Sequence, residues 1–243
     1  MKQGLFTIRE NRKRAKNVFS MVLEGDTTGI QRPGQFLNVA LEGFYLRRPF
    51  SVCDWDAGSL TILYKLVGAG TRHMASLEKG HVLDILTGLG NGYDMDPAGS
   101  SPLLVGGGAG IPPLYGLAKR LARPGVCPHV VLGFRTKDEA FYVEAFQNLG
   151  CRVTVSTQDG SMGIPGLVTE GMEGERPSYL YACGPEGMLR AVYEKVSCDG
   201  QFSFEERMAC GFGACMGCSC QTKYGSKRIC KEGPVLRRGE ILW

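Results

Sequence analysis

The sequence predicts an antiparallel β-barrel, followed by an α/β domain on a parallel sheet, followed by a small cysteine-rich tail. Three observations predict it. Short β-prone runs separated by turn residues occupy the first part of the chain. Strands then alternate with helical stretches, which implies a parallel sheet with helices on its faces. Glycine and cysteine dominate the end. The expected units are 1–97, 98–200 and 201–243.

In the first unit, Val18 to Leu23, Phe36 to Leu41 after Pro33-Gly34, Leu60 to Val67, and Val82 to Leu86 after Lys79-Gly80 read as strands. Without long helical patterns between them, they suggest a small barrel. The basic run from Arg9 to Lys16 reads as a solvated face or hairpin edge. Pro97 to Pro102, with Gly99 between, punctuates the chain as a domain boundary. Beyond it Leu103 to Val105, His129 to Phe134, Arg152 to Ser156 and Tyr179 to Ala182 read as strands. Leu114 to Ala122, Glu139 to Leu149 and Glu186 to Val196 read as helices.

Composition narrows the functions. A net charge of +4 over 243 residues is too mild to argue for nucleic acid. No apolar run approaches the length of a membrane span. The first ten residues lack the apolar core of a secretion signal, so the cytoplasm, where thiols stay reduced, is the expected compartment.

The cysteines of the tail are spaced Cys210-x4-Cys215-x2-Cys218, with Cys230 following. That is the plant-type [2Fe-2S] ligand spacing. Gly211, Gly213 and Gly217 would let the backbone wrap closely, with positive φ at little steric cost. Structural zinc ordinarily uses two CxxC knuckles, and only one is present. Ten cysteines are too sparse for a secreted disulfide scaffold. Cys220 reads as a spare thiol, because Cys-x2-Cys-x-Cys would crowd the loop.

Two segments of the barrel suggest a bound dinucleotide. Arg48-Pro49-Phe50-Ser51 offers a guanidinium fork for a diphosphate and a hydroxyl for the polar edge of a ring system. Gly70 and Thr71 would supply N–H and hydroxyl donors to phosphate at the start of a helix running to Leu77. Taken alone, the first segment is equally a turn with a surface arginine.

The α/β domain opens on Gly106-Gly107-Gly108-Ala109-Gly110-Ile111-Pro112-Pro113. A strand, a glycine loop and a helix are where such sheets bind nucleotides. Pro113 occupies the third glycine position of G-x-G-x-x-G, and the Lys-Ser/Thr of a P-loop is absent; a structural turn stays open as the other reading. Cys183-Gly184-Pro185, at the end of a later strand, falls on the same rim, with Cys183 either packed or near a nicotinamide. No arginine distinguishes NAD from NADP. His73, His81 and His129 are scattered and read as structural. The lack of an acid–base constellation suits chemistry carried by cofactors.

Taken in order, these motifs resemble the ferredoxin-NADP reductase superfamily, and within it the electron-transfer subunits of the NAD-linked, class 1B dihydroorotate dehydrogenases. The resemblance implies FAD held by Arg48, Pro49, Phe50, Ser51, the Leu63-Tyr64-Lys65 strand, Gly70 and Thr71. It implies NAD as co-substrate in the α/β domain and Cys210, Cys215, Cys218 and Cys230 as cluster ligands. The Cys218 to Cys230 loop departs from the family in being short. The implied partner is an FMN-containing catalytic subunit in a heterotetramer of two plus two, oxidising dihydroorotate to orotate with NAD+ in pyrimidine biosynthesis. Electrons would pass from FMN through the cluster to FAD and leave as hydride.

Three cofactor sites also leave little chain for an organic-substrate pocket, which argues for a subunit rather than a complete enzyme. Small subunits of sulfide dehydrogenases or of NADH-dependent ferredoxin:NADP oxidoreductases carry the same modules. A zinc-stabilised nucleotide-binding module without redox chemistry is a reading of a different class. Arg228, Lys231, Arg237 and Arg238 read as surface charges.

Overall fold

Six strands close into a barrel in the computed structural model, which describes residues 1–123 and 125–243. They are β1 (Lys2–Ala15), β2 (Val18–Glu24), β3 (Phe36–Val39), β4 (Arg48–Asp56), β5 (Ser59–Lys65) and β6 (Val82–Leu89), joined in the order β1-β2-β5-β4-β3-β6. Every pairing is antiparallel. Alternation fills the inside, with Ile8, Met21, Leu23, Leu37, Val39, Val52, Leu60, Ile62 and Ile85 all buried. The basic run is the outer half of the β1–β2 hairpin. Helix α1 (Ala69–Ser76) drops Met74 into the same core, and Asn11 Nδ2 donates to the carbonyls of Met74 and Leu77.

The second sheet begins with β7 (Pro102–Gly107), which leads into helix α2 (Ile111–Ala122). It continues with β8 (His129–Phe134), helix α3 (Val143–Asn148), β9 (Arg152–Thr157) and β10 (Ile164–Pro165). Then follow β11 (Tyr179–Cys183), helix α4 (Glu186–Lys195) and β12 (Gly200–Ser203). A hairpin, β13 (Ser219–Thr222) and β14 (Gly225–Arg228), precedes β15 (Val235–Arg237). The strand order is β10-β9-β8-β7-β11-β12-β15, parallel throughout except for β15. The chain builds outward from β7 on one side, then returns to build outward from β11 on the other. The β7/β11 pair is therefore the topological switch point, the place where open α/β sheets bind ligands beyond their carboxyl ends.

Helix α2 lies between this sheet and the barrel. Its Leu114 and Leu117 share one core cluster with Val18, Cys53 and Leu63 of the barrel. Asp54 of β4 pairs with Lys119 and Arg120, and the Arg120 guanidinium lies 3.2 Å from the centroid of the Trp55 ring. Helix α4 covers the opposite face, with Leu189 and Val192 packed against Leu103, Val105 and Leu180.

Several elements differ from the sequence expectation. The helix expected from Glu139 starts only at Val143, because Tyr142 sits in the left-handed region at φ 63. That conformation turns its ring edge-on against Tyr115, 4.9 Å between centroids. Strands β12 and β15 were not anticipated. β12 reads Gly-Gln-Phe-Ser, and its buried Gln201 is satisfied by hydrogen bonds with the backbone of Asp94 and the hydroxyl of Tyr179, so polarity hides its burial.

Candidate functional site

The loop from Cys210 to Cys218 and the turn at Cys230 come together on the outer face of the barrel. The β13–β14 hairpin is what returns the chain: Ile229 N–H donates to the Cys218 carbonyl, and Cys230 N–H points at Cys218 Sγ, 3.4 Å away. The short spacing between these two cysteines is thus the length of one tight hairpin. Cys215 N–H points in the same way at Cys210 Sγ, also at 3.4 Å.

Gly211 and Gly213 take φ values of 77° and 92°, and a Cβ on either would overlap Asn38 or Lys231. The third left-handed residue of the loop is Met216, at φ 62, rather than the expected Gly217. Cys218 and Cys230 are buried, Cys210 is half-buried, and Cys215 is exposed beside Phe212 and Met216.

Two of the four thiols, Cys210 and Cys230, are moved in opposite directions. Burial, with Cys218 and Cys210 beside it, pushes Cys230 up to about 12. Burial acts against Cys210 as well, but N–H donors from Cys215, Phe212 and Ala214 outweigh it and hold that thiol at about 6. No three His, Cys, Asp or Glu side chains among the described residues are placed to hold a single metal ion. Thiolate-directed N–H groups on a loop shaped by left-handed residues fit a sulfur-ligated cluster, whose potential depends on such donors.

Sequence reasoning missed two residues at this site, Arg228 and Asn38. Arg228, expected as a surface charge, reaches across to donate from Nη1 to the Gly213 carbonyl at 2.7 Å while paired with Glu232. Arg238 also differs from that expectation, stacking over Tyr193 and donating to its carbonyl. Asn38, in β3, donates from Nδ2 to the Cys210 carbonyl at 3.3 Å. The i,i+4 spacing of Arg228 and Glu232 was a visible signal; a lone asparagine in an apolar strand was a fainter one. Cys220 is paired with Lys227 in the hairpin and lines a separate recess with Phe204 and Trp243.

The barrel motifs also converge. Arg48 lies over Gly70, where a Cβ would come within 2.9 Å of Nε, and its guanidinium is 5.1 Å from the Phe44 ring centroid. A cation beside a helix start is a place for a diphosphate. Thr71 is committed differently from the expectation: its hydroxyl oxygen accepts from the N–H groups of Val67 and Gly68 and so shapes the turn. Pro49 is exposed, while Phe50 and Ser51 are half-buried. Phe50 packs 5.9 Å from Tyr64, whose hydroxyl donates to Asn11.

Between barrel and sheet lies a cavity of about 500 Å³, walled by Leu63, Tyr64 and Lys65 on one side and by Gly107, Gly108 and Pro185 on the other. The register pairs Cys183 with Gly106, so the glycine loop and the Cys183-Gly184-Pro185 turn are neighbours at the switch point. Gly106 and Gly110 have a packing role instead. Gly106 fits under Ile111 and Leu114, and Gly110 lies so close to the Cys183 carbonyl that a Cβ would overlap it. Burial raises the Cys183 thiol to about 12, so it is a neutral, packed group. Lys65 Nζ and Glu139 Oε2 meet across the cavity at 2.8 Å.

Residues 205–242 match the family described as the iron-sulfur cluster binding domain of dihydroorotate dehydrogenase B. A dihydroorotate dehydrogenase B (NAD(+)) electron transfer subunit from Fusobacterium nucleatum is 40% identical, covering 97% of this chain and 96% of its own. One from Bacillus caldolyticus is 42% identical, covering 97% of each. This chain belongs to the family of dihydroorotate dehydrogenase B electron transfer subunits.

Members of that family share their architecture with other reductases. The structure of an NADH-dependent reduced ferredoxin-NADP oxidoreductase superposes with a TM-score of 0.89 at 31% identity, covering 99% of this chain and 90% of that one. Phthalate dioxygenase reductase shares the fold at a TM-score of 0.67 and 18% identity, over 91% of this chain and 87% of its own. No helix among the described residues is long and apolar enough to cross a membrane.

Proposed function

We propose that this chain is the electron-transfer half of an NAD-linked dihydroorotate dehydrogenase, carrying electrons between a catalytic partner and a nicotinamide nucleotide. One observation carries the reading: the barrel is a common wall. Strand β3 meets the cysteine loop through Asn38 and the Arg48 to Ser51 segment through its ladder, and β5 of the same barrel opens onto the glycine-loop cavity. A flavin on that wall has the cluster on one side and the nucleotide on the other.

In this reading Arg48 and the start of α1 at Gly70 and Thr71 hold the FAD diphosphate. Pro49, Phe50, Ser51, Leu63, Tyr64 and Lys65 line the ring. Gly107 and Gly108 allow the backbone close to the dinucleotide, with Gly106, Gly110, Cys183, Gly184 and Pro185 setting the shape of the rim. Cys210, Cys215, Cys218 and Cys230 ligate the [2Fe-2S] cluster. When bound, FAD exchanges hydride with the nicotinamide and single electrons with the cluster.

The chain's own residues bind, orient and exclude water. Arg48 neutralises phosphate charge, and the buried side chains of Leu63, Phe134 and Val168 keep the cavity wall apolar. The exposed edge formed by Cys215, Phe212 and Met216 faces an FMN-bearing catalytic subunit, in an assembly of two plus two, in the cytoplasm.

Anaerobic purification of the chain with its native partner tests the reading. The expected result is flavin absorption near ~370 and ~450 nm with an iron–sulfur shoulder near ~550 nm, about two irons per chain, and an FMN protein retained on the column. A colourless, zinc-loaded protein would overturn it. A large partner bearing its own FAD and iron–sulfur clusters would reassign the substrate.

A further inference from the structure

Asn38 hydrogen-bonds the cysteine loop to the barrel. It sits in β3 among Phe36, Leu37 and Val39, all buried, and is itself only 1% exposed. An amide in that position loses the hydration of two polar groups, and each one left unpaired is costly. The Nδ2 group is paired, donating to the Cys210 carbonyl at 3.3 Å. Oδ1 is buried with no hydrogen-bond partner among the described residues.

The orientation is dictated by chemistry, because only the NH2 end of an amide can face a carbonyl. Gly211 is moulded to it: a Cβ there, at φ 77, would overlap Nδ2, whereas Oδ1 lies farther off, at 3.5 Å. Within the sheet Asn38 is paired with Pro49, between Arg48 and Ser51. A leucine would fill this core position without an orphaned acceptor, so apolar packing alone does not account for an amide here.

We propose that Asn38 is a positioning residue for electron passage: it holds the Cys210 end of the cluster loop against the flavin strand and places the positive end of its amide dipole at the Cys210 carbonyl, beside the cluster. This rests on the cofactor placement given above. Reduction adds one negative charge to the cluster, and hydrogen bonding and local charge tune how readily it does so. A positive dipole end beside Cys210 therefore favours the reduced form. Oδ1, the negative end, is turned away and left without a partner.

The test uses the full chain with FAD and cluster bound, comparing wild type with Asn38→Leu and Asn38→Asp. Leucine removes the dipole; aspartate keeps the shape but places an acceptor, and a negative charge when ionised, where the donor was. Iron and flavin content, the EPR spectrum of the reduced cluster and its midpoint potential are measured. NADH, oxidised to NAD+, supplies two electrons as hydride to FAD, and these pass singly to the cluster, whose bleaching is followed by stopped flow.

Both variants are expected to load cluster and flavin, with altered g-values and a lower potential. The one-electron equilibrium should move about tenfold against cluster reduction, about 59 mV, and further for Asn38→Asp. Wild-type potential and bleaching rate in a loaded variant would overturn the proposal. So would flavin-replete variants in which neither holds iron, since Asn38 would then be loop scaffolding only. If Asn38→Leu does not fold, Asn38→Asp carries the same comparison. A wild-type chain that itself lacks flavin or iron would defeat the functional reading instead.

Discussion

Arg228 shows how a side chain outside the cysteine set can fix that set's geometry. Its guanidinium ties the Gly213 carbonyl to Glu232, one turn of chain beyond Cys230, so two separate arms of the cysteine site are clasped by one charge. Arg228→Met would leave a carbonyl and a carboxylate without that partner. The expected outcome is a chain that folds but retains less than half the wild-type iron per flavin after gel filtration, by metal analysis. The clasp has a pH signature as well. The hydrogen bond from Arg228 holds the Glu232 carboxyl at about 2, below its ordinary 4.5. Its stabilisation is present above 4.5 and is lost as pH falls towards 2, so Glu232→Gln should flatten that part of an acid-induced iron-release curve. His129 works in the opposite half of the acid range. Its Nδ1 lies 2.9 Å from Arg152 and 3.1 Å from Glu175, and Nε2 lies 2.8 Å from the Thr154 hydroxyl. Burial decides between these neighbours and lowers the ring's pKa from 6.5, although Glu175 pulls it up. The folded state keeps the ring neutral while the unfolded chain protonates it, so stability falls as pH drops through 6.5. Thermal midpoints taken between pH 7.5 and 5.5 should decline more steeply for wild type than for His129→Asn; parallel slopes would refute this assignment.

At the scale of elements, the barrel and the sheet face each other across one cavity, and the Lys65–Glu139 pair spans it from β5 to the turn before α3. A dinucleotide bound there, as proposed above, would be an anion, so the two partners should have opposite effects when removed. Glu139→Gln frees a cation beside the ligand and should lower KM for NADH. Lys65→Met exposes an uncompensated carboxylate and should raise it. Partly exposed pairs are worth about 0.2–1 kcal/mol, which corresponds to shifts of roughly one-and-a-half- to fivefold, shrinking at high salt. Changes in the same direction would mean that the pair acts by holding the two domains together instead. The elements also show what a sequence can reveal. Strands β2, β5, β7, β8, β9 and β11 were legible because burial on one or both faces writes an apolar pattern. The start of α3 was not, because a left-handed Tyr142 is paid for by ring contacts distant in sequence. β12 was not, because Gln201 and Ser203 are buried polar groups on a four-residue strand. At the site, cysteine spacing and glycine loops were plain, since chemistry restricts which residues serve there. Asn38 and Arg228 were hidden, because their partners are backbone carbonyls that no residue pattern encodes.

For the molecule as a whole, the arrangement separates two exchanges. In the proposed arrangement hydride chemistry would be confined to the cavity between the barrel and the sheet, and single-electron traffic to the cysteine loop on the barrel's outer face; no cysteine lines the cavity among the described residues. A lesion confined to one should therefore spare the other. Cys215 is the proposed ligand best suited to the test, being exposed at the outer end of the loop and not part of the barrel core. Cys215→Ser removes one thiolate of four and should abolish the cluster's EPR signal along with electron transfer to the catalytic partner. FAD should remain bound at wild-type stoichiometry, and oxidation of NADH by artificial two-electron acceptors should persist within about twofold, since the cavity walls come from β5, β7, β8, the loop around Val168 and the start of α4, none of them part of the cysteine loop. Loss of both activities with FAD still in place would mean that the two halves are not independent. The contact through which they would be coupled is already visible: Cys210 leans on Asn38, and Asn38 lies one ladder step from the strand that carries Arg48 and Ser51.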